Sequence, residues 1–143
     1  MKLTLDSSVI IAALRKQEVL HEPCLLLLQQ ISEGKHIALE SAIVLVEVTA
    51  AIRRRTGSRR LAREITENLV QLDFLFFLEL TEFRMFSAAK IAERFSLKGM
   101  DAIIAQIAEE KGSVLVTLDK EFAKKVTGLV SVEEVERVLA VSK

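Results

Sequence analysis

The chain has 143 residues, half of them hydrophobic, with 20 basic and 20 acidic side chains that cancel to a formal net charge of zero. That length suits one compact domain over residues 1–143 with a sizeable core. Neutrality excludes a global basic field, so any nucleic-acid partner has to be held by a local patch. One cysteine, Cys24, excludes a disulfide framework and fits a reducing compartment. Two histidines and one cysteine cannot make a standard structural zinc site. The apolar run Leu25 to Leu28 is far too short to cross a membrane, and Met1-Lys2 leads into a strand without a signal-peptide pattern. The expectation is a soluble, cytoplasmic protein with no membrane partner.

In chain order, Lys2 to Leu5 reads as a first strand and Asp6-Ser7-Ser8 as a turn. A helix then covers Val9 to Leu14, with Ser7 or Ser8 able to cap it. Glu18 to Glu33 reads as a second helix, with Pro23 tolerated only if the helix starts near it, and Gly34 as its stop. His36 to Leu39 reads as a strand. Ser41 opens a helix that ends near Thr56-Gly57, and Ser58 caps the next one, to about Gln71. Phe74 to Leu80 is an apolar strand and Glu82 to Phe95 a helix; Gly99 separates it from a helix over Asp101 to Lys111. Gly112 ends that helix, and the β-branched run Val114 to Thr117 is a buried strand. A short helix over Asp119 to Lys125, a weak strand over Leu129 to Val132 and a helix over Glu133 to Val141 complete the chain. Strands alternating with helices predict an α/β fold: a central parallel sheet of four or five strands, with helices on both faces.

Two of the strands end in carboxylates, Asp6 and Asp119, and Asp101 opens the helix that feeds the fourth strand. Ligands of open parallel sheets gather outside the carboxyl ends of the strands, where the strand order reverses. Taken singly, each of these acids also fits a turn or helix-capping role. Glu47 differs, because it sits in an apolar helical run, Ala42 to Ala51, where a Glu is rarely buried without a partner. Carboxylates about 4 Å apart repel by roughly 4 kcal/mol at an effective dielectric near 20, so a cluster needs raised pKa values or a cation. An all-oxygen donor set selects a hard ion, Mg²⁺ or Mn²⁺.

The ordered set Leu5-Asp6-Ser7-Ser8-Val9-Ile10, Ser41 to Glu47-Val48, Asp101-Ala102-Ile103-Ile104-Ala105 and Val116-Thr117-Leu118-Asp119-Lys120-Glu121-Phe122 resembles PIN-domain proteins, most of all the compact VapC-type toxins of toxin–antitoxin pairs. One departure is Ser7, where Thr is usual after the first Asp; it is not expected to affect metal binding. The resemblance implies a single PIN-like domain and a metal-dependent endoribonuclease. Asp6, Glu47, Asp101 and Asp119 would hold Mg²⁺ or Mn²⁺, and Ser8 and Thr117 would be polar supports beside them. On their own, Ser8 also fits a helix cap and Thr117 an ordinary strand residue. The resemblance further implies a homodimer, neutralised by a VapB-type antitoxin whose Arg or Lys reaches the acids. Water is the expected nucleophile, so His21 and His36 are expected to be ordinary surface or partly buried residues.

Arg53, Arg54, Arg55, Arg59, Arg60 and Arg63 form the densest basic stretch, just after the helix carrying Glu47. It is the candidate contact for RNA phosphates, and a solvated helix end with surface ion pairs is the alternative. No aromatic residue interleaves it, so base stacking is not indicated there. Three other functions compete: a housekeeping RNA-processing nuclease, a non-catalytic binding module with a decayed site, and a phosphotransferase of another doubly wound fold. The haloacid-type form of the last would want Asp-x-Asp where this chain has Asp6-Ser7-Ser8.

Overall fold

The computed structural model describes residues 1–141; the last two residues of the expected domain lie outside it. Its elements are β1 (Lys2–Leu5), α1 (Ser7–Leu14), α2 (His21–Ser32), β2 (Ile37–Ser41), α3 (Ala42–Thr56), α4 (Arg59–Gln71), β3 (Leu75–Leu78), α5 (Glu82–Phe95), α6 (Gly99–Lys111), β4 (Val114–Val116), α7 (Lys120–Val126), β5 (Val132–Glu133) and α8 (Val135–Val141). The five strands form one sheet in the order β3-β2-β1-β4-β5, and every pair is parallel.

That order explains the two helical layers. From β1 through β2 to β3 the chain steps one way across the sheet, and from β3 to β4 and β5 it steps back past β1. Right-handed crossovers therefore put α1 to α4 on one face and α5 to α7 on the other. The contacts agree: α1 packs on α2 and α3, α3 on α4 and α2 on α8, whereas α6 lies across β1, β2 and β4 with α5 against it. A sheet covered on both faces buries both sides of its central strand, and Leu3, Thr4 and Leu5 of β1 are all inaccessible. Strand order reverses between β1 and β4, so the crevice outside their carboxyl ends is where a ligand site is expected.

Local signals place most boundaries. Ser41, Ser58 and Thr81 accept hydrogen bonds at the starts of α3, α4 and α5. Pro23 falls in the first turn of α2, which therefore begins at His21 and not at the expected Glu18. The second strand runs on to Ser41, two residues past the predicted Leu39, because Glu40 pairs with β3. The third strand is shorter than Phe74 to Leu80. Phe74 has φ 65, outside any strand, and its ring seats against Gly34, where an added Cβ would lie 3.0 Å from it. Gly34 itself has φ +82, so the turn after α2 needs a glycine twice over. The last strand is only Val132–Glu133, displaced from the predicted Leu129 to Val132, and α8 follows it at Val135.

Between α5 and α6, Arg84 grips Glu110 through two bonds, Nε to Oε1 at 3.0 Å and Nη2 to Oε2 at 2.9 Å, and Gln106 adds a third at 3.1 Å. The Arg84 hydrogen bond, ahead of all else, pulls the Glu110 carboxyl down to about 2. Its contribution is complete above the unfolded pKa near 4.5 and is lost as pH falls through about 2. Glu110→Gln is expected to cost about 1 kcal/mol in urea unfolding at pH 7, and the gap to the parent protein should close below pH 2.

Candidate functional site

Asp6 follows β1 directly and supplies the N-cap position of α1, but its side chain makes no capping bond. Ser7 and Ser8 do not cap that helix either, contrary to the sequence expectation. Instead, the Ser8 hydroxyl donates to Asp6 Oδ2 at 2.9 Å, and the Thr117 hydroxyl donates to the same oxygen at 2.7 Å. Thr117 Oγ1 in turn accepts from the Asp119 amide at 3.0 Å, and Ser8 Oγ accepts from the Leu118 amide at 3.3 Å. Asp6 is 7% exposed, and its Oδ1 takes no hydrogen bond among the described residues. Residues 111 positions apart thus meet because β1 and β4 are neighbours in register, Leu5 opposite Val116.

Glu47 stands half-buried in the middle of α3, whose Val44 and Val48 are fully buried. Its Oε1 is sealed from solvent without a hydrogen-bond partner among the described residues. Burial raises its carboxyl above the ordinary range, and the charges of Asp6 and then Asp101 add to the rise, while the nearby Ser7 hydroxyl opposes it. Ser7, the position where this chain departs from the PIN-type motif, therefore lies near one of the acids.

Asp101 is the third residue of α6, since the helix starts two residues before the expected position. Burial raises its carboxyl, the charges of Asp6 and Asp119 raise it further, and Lys98 and Lys125 pull it down. Asp101 and Asp119 share a small cleft with Lys98, Phe122 and Lys125. Asp119 is exposed, and its Oδ1 caps α7 by accepting from the amides of Glu121 at 3.0 Å and Phe122 at 3.1 Å. The capping reading weighed for it from sequence thus holds for one of its oxygens. A larger cavity of about 680 Å³ adjoins the site at Thr117 and Leu118; its walls carry Lys120 and Arg137 together with Glu133 and Glu136.

The fold thus brings Asp6, Glu47, Asp101 and Asp119 to one rim of the sheet, near enough that Glu47 feels Asp6 and Asp101, and Asp101 feels Asp6 and Asp119. Among the described residues no three acidic, histidine or cysteine side chains already close into a metal cage. The donor set nonetheless suits a hard divalent ion: all ligand atoms are oxygens, Asp6 Oδ1 is unengaged, and Glu47 Oε1 is buried and orphaned.

His21 and His36 lie elsewhere. His21 Nδ1 meets the Ala12 carbonyl at 2.8 Å, and His36 is buried against Gln30 and the N-terminal amine. Cys24 is buried, and burial, followed by the Glu136 charge, pushes its thiol up to about 11, which makes it a poor nucleophile. Arg53, Arg54, Arg55, Arg59, Arg60 and Arg63 are all exposed. Arg55 pairs with Glu18 at 3.0 Å and Arg60 with Glu64 at 3.6 Å, so part of the stretch is the ion-paired surface considered as its alternative. Sequence reasoning missed Glu40, an acid fully buried in β2. Its only sequence signal was an acid at the end of an apolar strand.

Burial and like charges make Glu47 harder to ionise in the folded chain than in the unfolded one. A carboxyl raised on folding contributes full stability below its unfolded pKa and loses it as pH rises through the folded value. Metal-free Glu47→Gln should therefore match the parent protein in thermal midpoint below about pH 4 and exceed it increasingly toward pH 7. Equal midpoints at pH 7 would show that Glu47 feels neither burial nor its neighbours.

No curated protein matches the chain. Among solved structures, it is similar to VapC20 of Mycobacterium tuberculosis, a Sarcin-Ricin loop cleaving toxin, at 19% identity and a TM-score of 0.74 over 92% of this chain and 98% of that one. It is also similar to a chain of VapBC2 from Rickettsia felis bound to a DNA fragment from their promoter, at 18% identity and a TM-score of 0.70 over 94% and 98%. A protein of Pyrobaculum aerophilum superposes at 22% identity and a TM-score of 0.67 over 99% and 98%. At such identities the likeness concerns the fold. The PIN domain family model matches residues 3–127, from β1 through α7 and across all four acids, and the chain belongs to the PIN-domain family.

Proposed function

We propose that this protein is a metal-dependent endoribonuclease of the VapC type, the toxin of a toxin–antitoxin pair, with Asp6, Glu47, Asp101 and Asp119 holding Mg²⁺ or Mn²⁺. The observation that carries this reading is the acidic rim at the β1–β4 crevice, where Glu47 Oε1 is buried without a partner among the described residues and where burial, then Asp6, push up the carboxyls of Glu47 and Asp101. Its similarity in fold to a Sarcin-Ricin loop cleaving toxin supports RNA as the substrate class. When bound, a divalent ion would supply an activated water and neutralise charge at the cleaved phosphodiester.

The chain's own residues set the stage for that chemistry. Ser8 and Thr117 hold Asp6 through Oδ2 and leave Oδ1 for another partner. Thr117 also orders the Asp119 amide, so one hydroxyl couples the acids of β1 and β4. Lys98 and Lys125 bring positive charge to the edge of the rim beside Asp101, where a phosphate would approach. Arg54 lies seven residues after Glu47 on α3, hence on the same flank and about 10 Å along the axis. Together with Arg53, Arg59 and Arg63 it forms the part of the basic stretch without an ion pair among the described residues, and we assign RNA backbone contact to it.

An antitoxin inserting an Arg or Lys would neutralise the same acids. A homodimer would cover the exposed apolar side chains of α5, Phe83, Met85 and Phe86. Among the described residues no helix is long and apolar enough to cross a membrane.

RNA cleavage by the purified protein should vanish with chelator and return with Mg²⁺ or Mn²⁺, and Asp6→Asn should lose activity by about 10²-fold or more while keeping its circular dichroism. Full activity in chelator or in Asp6→Asn would sink the assignment. Arg54→Glu should weaken binding of a non-cleavable RNA and lower the slope of log affinity against log salt by about one. An unchanged slope would return the arginines to ordinary surface.

A further inference from the structure

Glu40 is a carboxylic acid in the interior of a sheet, with no accessible surface at all. Its Oε1 accepts from the Leu5 amide at 2.7 Å, and its Oε2 is sealed from water without a hydrogen-bond partner among the described residues. Burial drives its carboxyl well above the ordinary range; the Leu5 bond opposes this and the Asp6 charge adds to it. A leucine here would avoid these costs, so the acid has to do something an apolar side chain cannot.

What it does follows from the register. Backbone pairing of β1 with β2 runs through Lys2↔Ile37 and Leu3↔Ala38. Closer to the crevice, side chains carry the link: Thr4 Oγ1 donates to the Leu39 carbonyl at 2.8 Å, and then Glu40 takes the Leu5 amide. On the opposite side of β1, the Asp6 amide donates to the Val116 carbonyl of β4 at 2.9 Å. The two consecutive peptides that present Asp6 are thus held from both flanks, by Glu40 on one and by β4 on the other.

We propose that Glu40 is a positioning residue for Asp6, fixing the Leu5–Asp6 backbone from the β2 side so that Asp6 meets Ser8, Thr117 and a bound divalent ion in one orientation. The ion is part of the function proposed above; the positioning is a property of the metal-free chain as well. Glu40 does not itself touch the ion.

The test compares Glu40→Gln, which keeps an acceptor for Leu5, with Glu40→Met and Glu40→Leu, which remove it while filling the space. Amide exchange and amide resonances are read on the metal-free full chain, and Mn²⁺ affinity by calorimetry, with Asp6→Asn as reference. Glu40→Gln should keep the parent exchange rate at Leu5, the resonances of Asp6, Ser8 and Thr117, and Mn²⁺ affinity within about threefold; whichever apolar variant folds should exchange Leu5 faster, shift those resonances and bind Mn²⁺ at least about tenfold more weakly. A folded apolar variant with parental resonances and parental Mn²⁺ affinity overturns the proposal, as does a Glu40→Gln that fails as badly as the apolar variants. If the parent protein binds no Mn²⁺ while the resonances still move in the apolar variants alone, the positioning stands and the metal reading falls.

Discussion

Two hydroxyl groups donating to one carboxylate oxygen hold the site together: Ser8 and Thr117 both address Asp6 Oδ2. The bonds tie the end of β1 to the end of β4 at the place where the strand order reverses. They also keep a carboxylate supplied with donors although it is nearly buried. Burial first, and then the charge of Asp6, raise both Glu47 and Asp101. One well-supported aspartate thus acts on both half-buried acids around it.

Around that aspartate the fold divides the work between its two helical layers. Glu47 comes from α3 on one face of the sheet and Asp101 from α6 on the other, so the two reach the rim from opposite sides. Each is only half-buried, and each lies beside apolar neighbours that exclude water from part of its surface. Burial and like charge together make these carboxyls harder to ionise than they would be in water. Glu40 behind β1 extends the same logic inward: a buried polar group that costs stability is kept where it holds backbone at the site.

Basic residues sit at the margins and not within the cluster. Lys98 and Lys125 lower Asp101 from the edge without reaching a hydrogen bond to it, and Lys125 spends its ammonium on the Ser96 carbonyl at 3.1 Å and on Glu121 at 3.5 Å. The arginines after Glu47 are exposed, and two of them are already paired with acids. A neutral chain can thus keep an acidic centre and a basic approach apart, which zero net charge alone does not reveal.

The sequence by itself determined the alternation of strands and helices, the parallel sheet, and the acids that follow β1 and β4, because these are written in contiguous residues: runs of apolar side chains, glycine stops and serine caps. It went astray where a boundary answers to a distant partner. The second strand runs past Leu39 because β3 pairs with it, and the third starts after Phe74 because that ring packs on Gly34. Within the site, the family resemblance offered Ser8 and Thr117 as polar supports, but only the tertiary structure decided that both serve Asp6 and that Glu40 holds the Leu5 amide. Most of these contacts join residues dozens to more than a hundred positions apart, brought together by the registers of β1 with β2 and β4, and a local pattern carries no record of which strand will lie beside which.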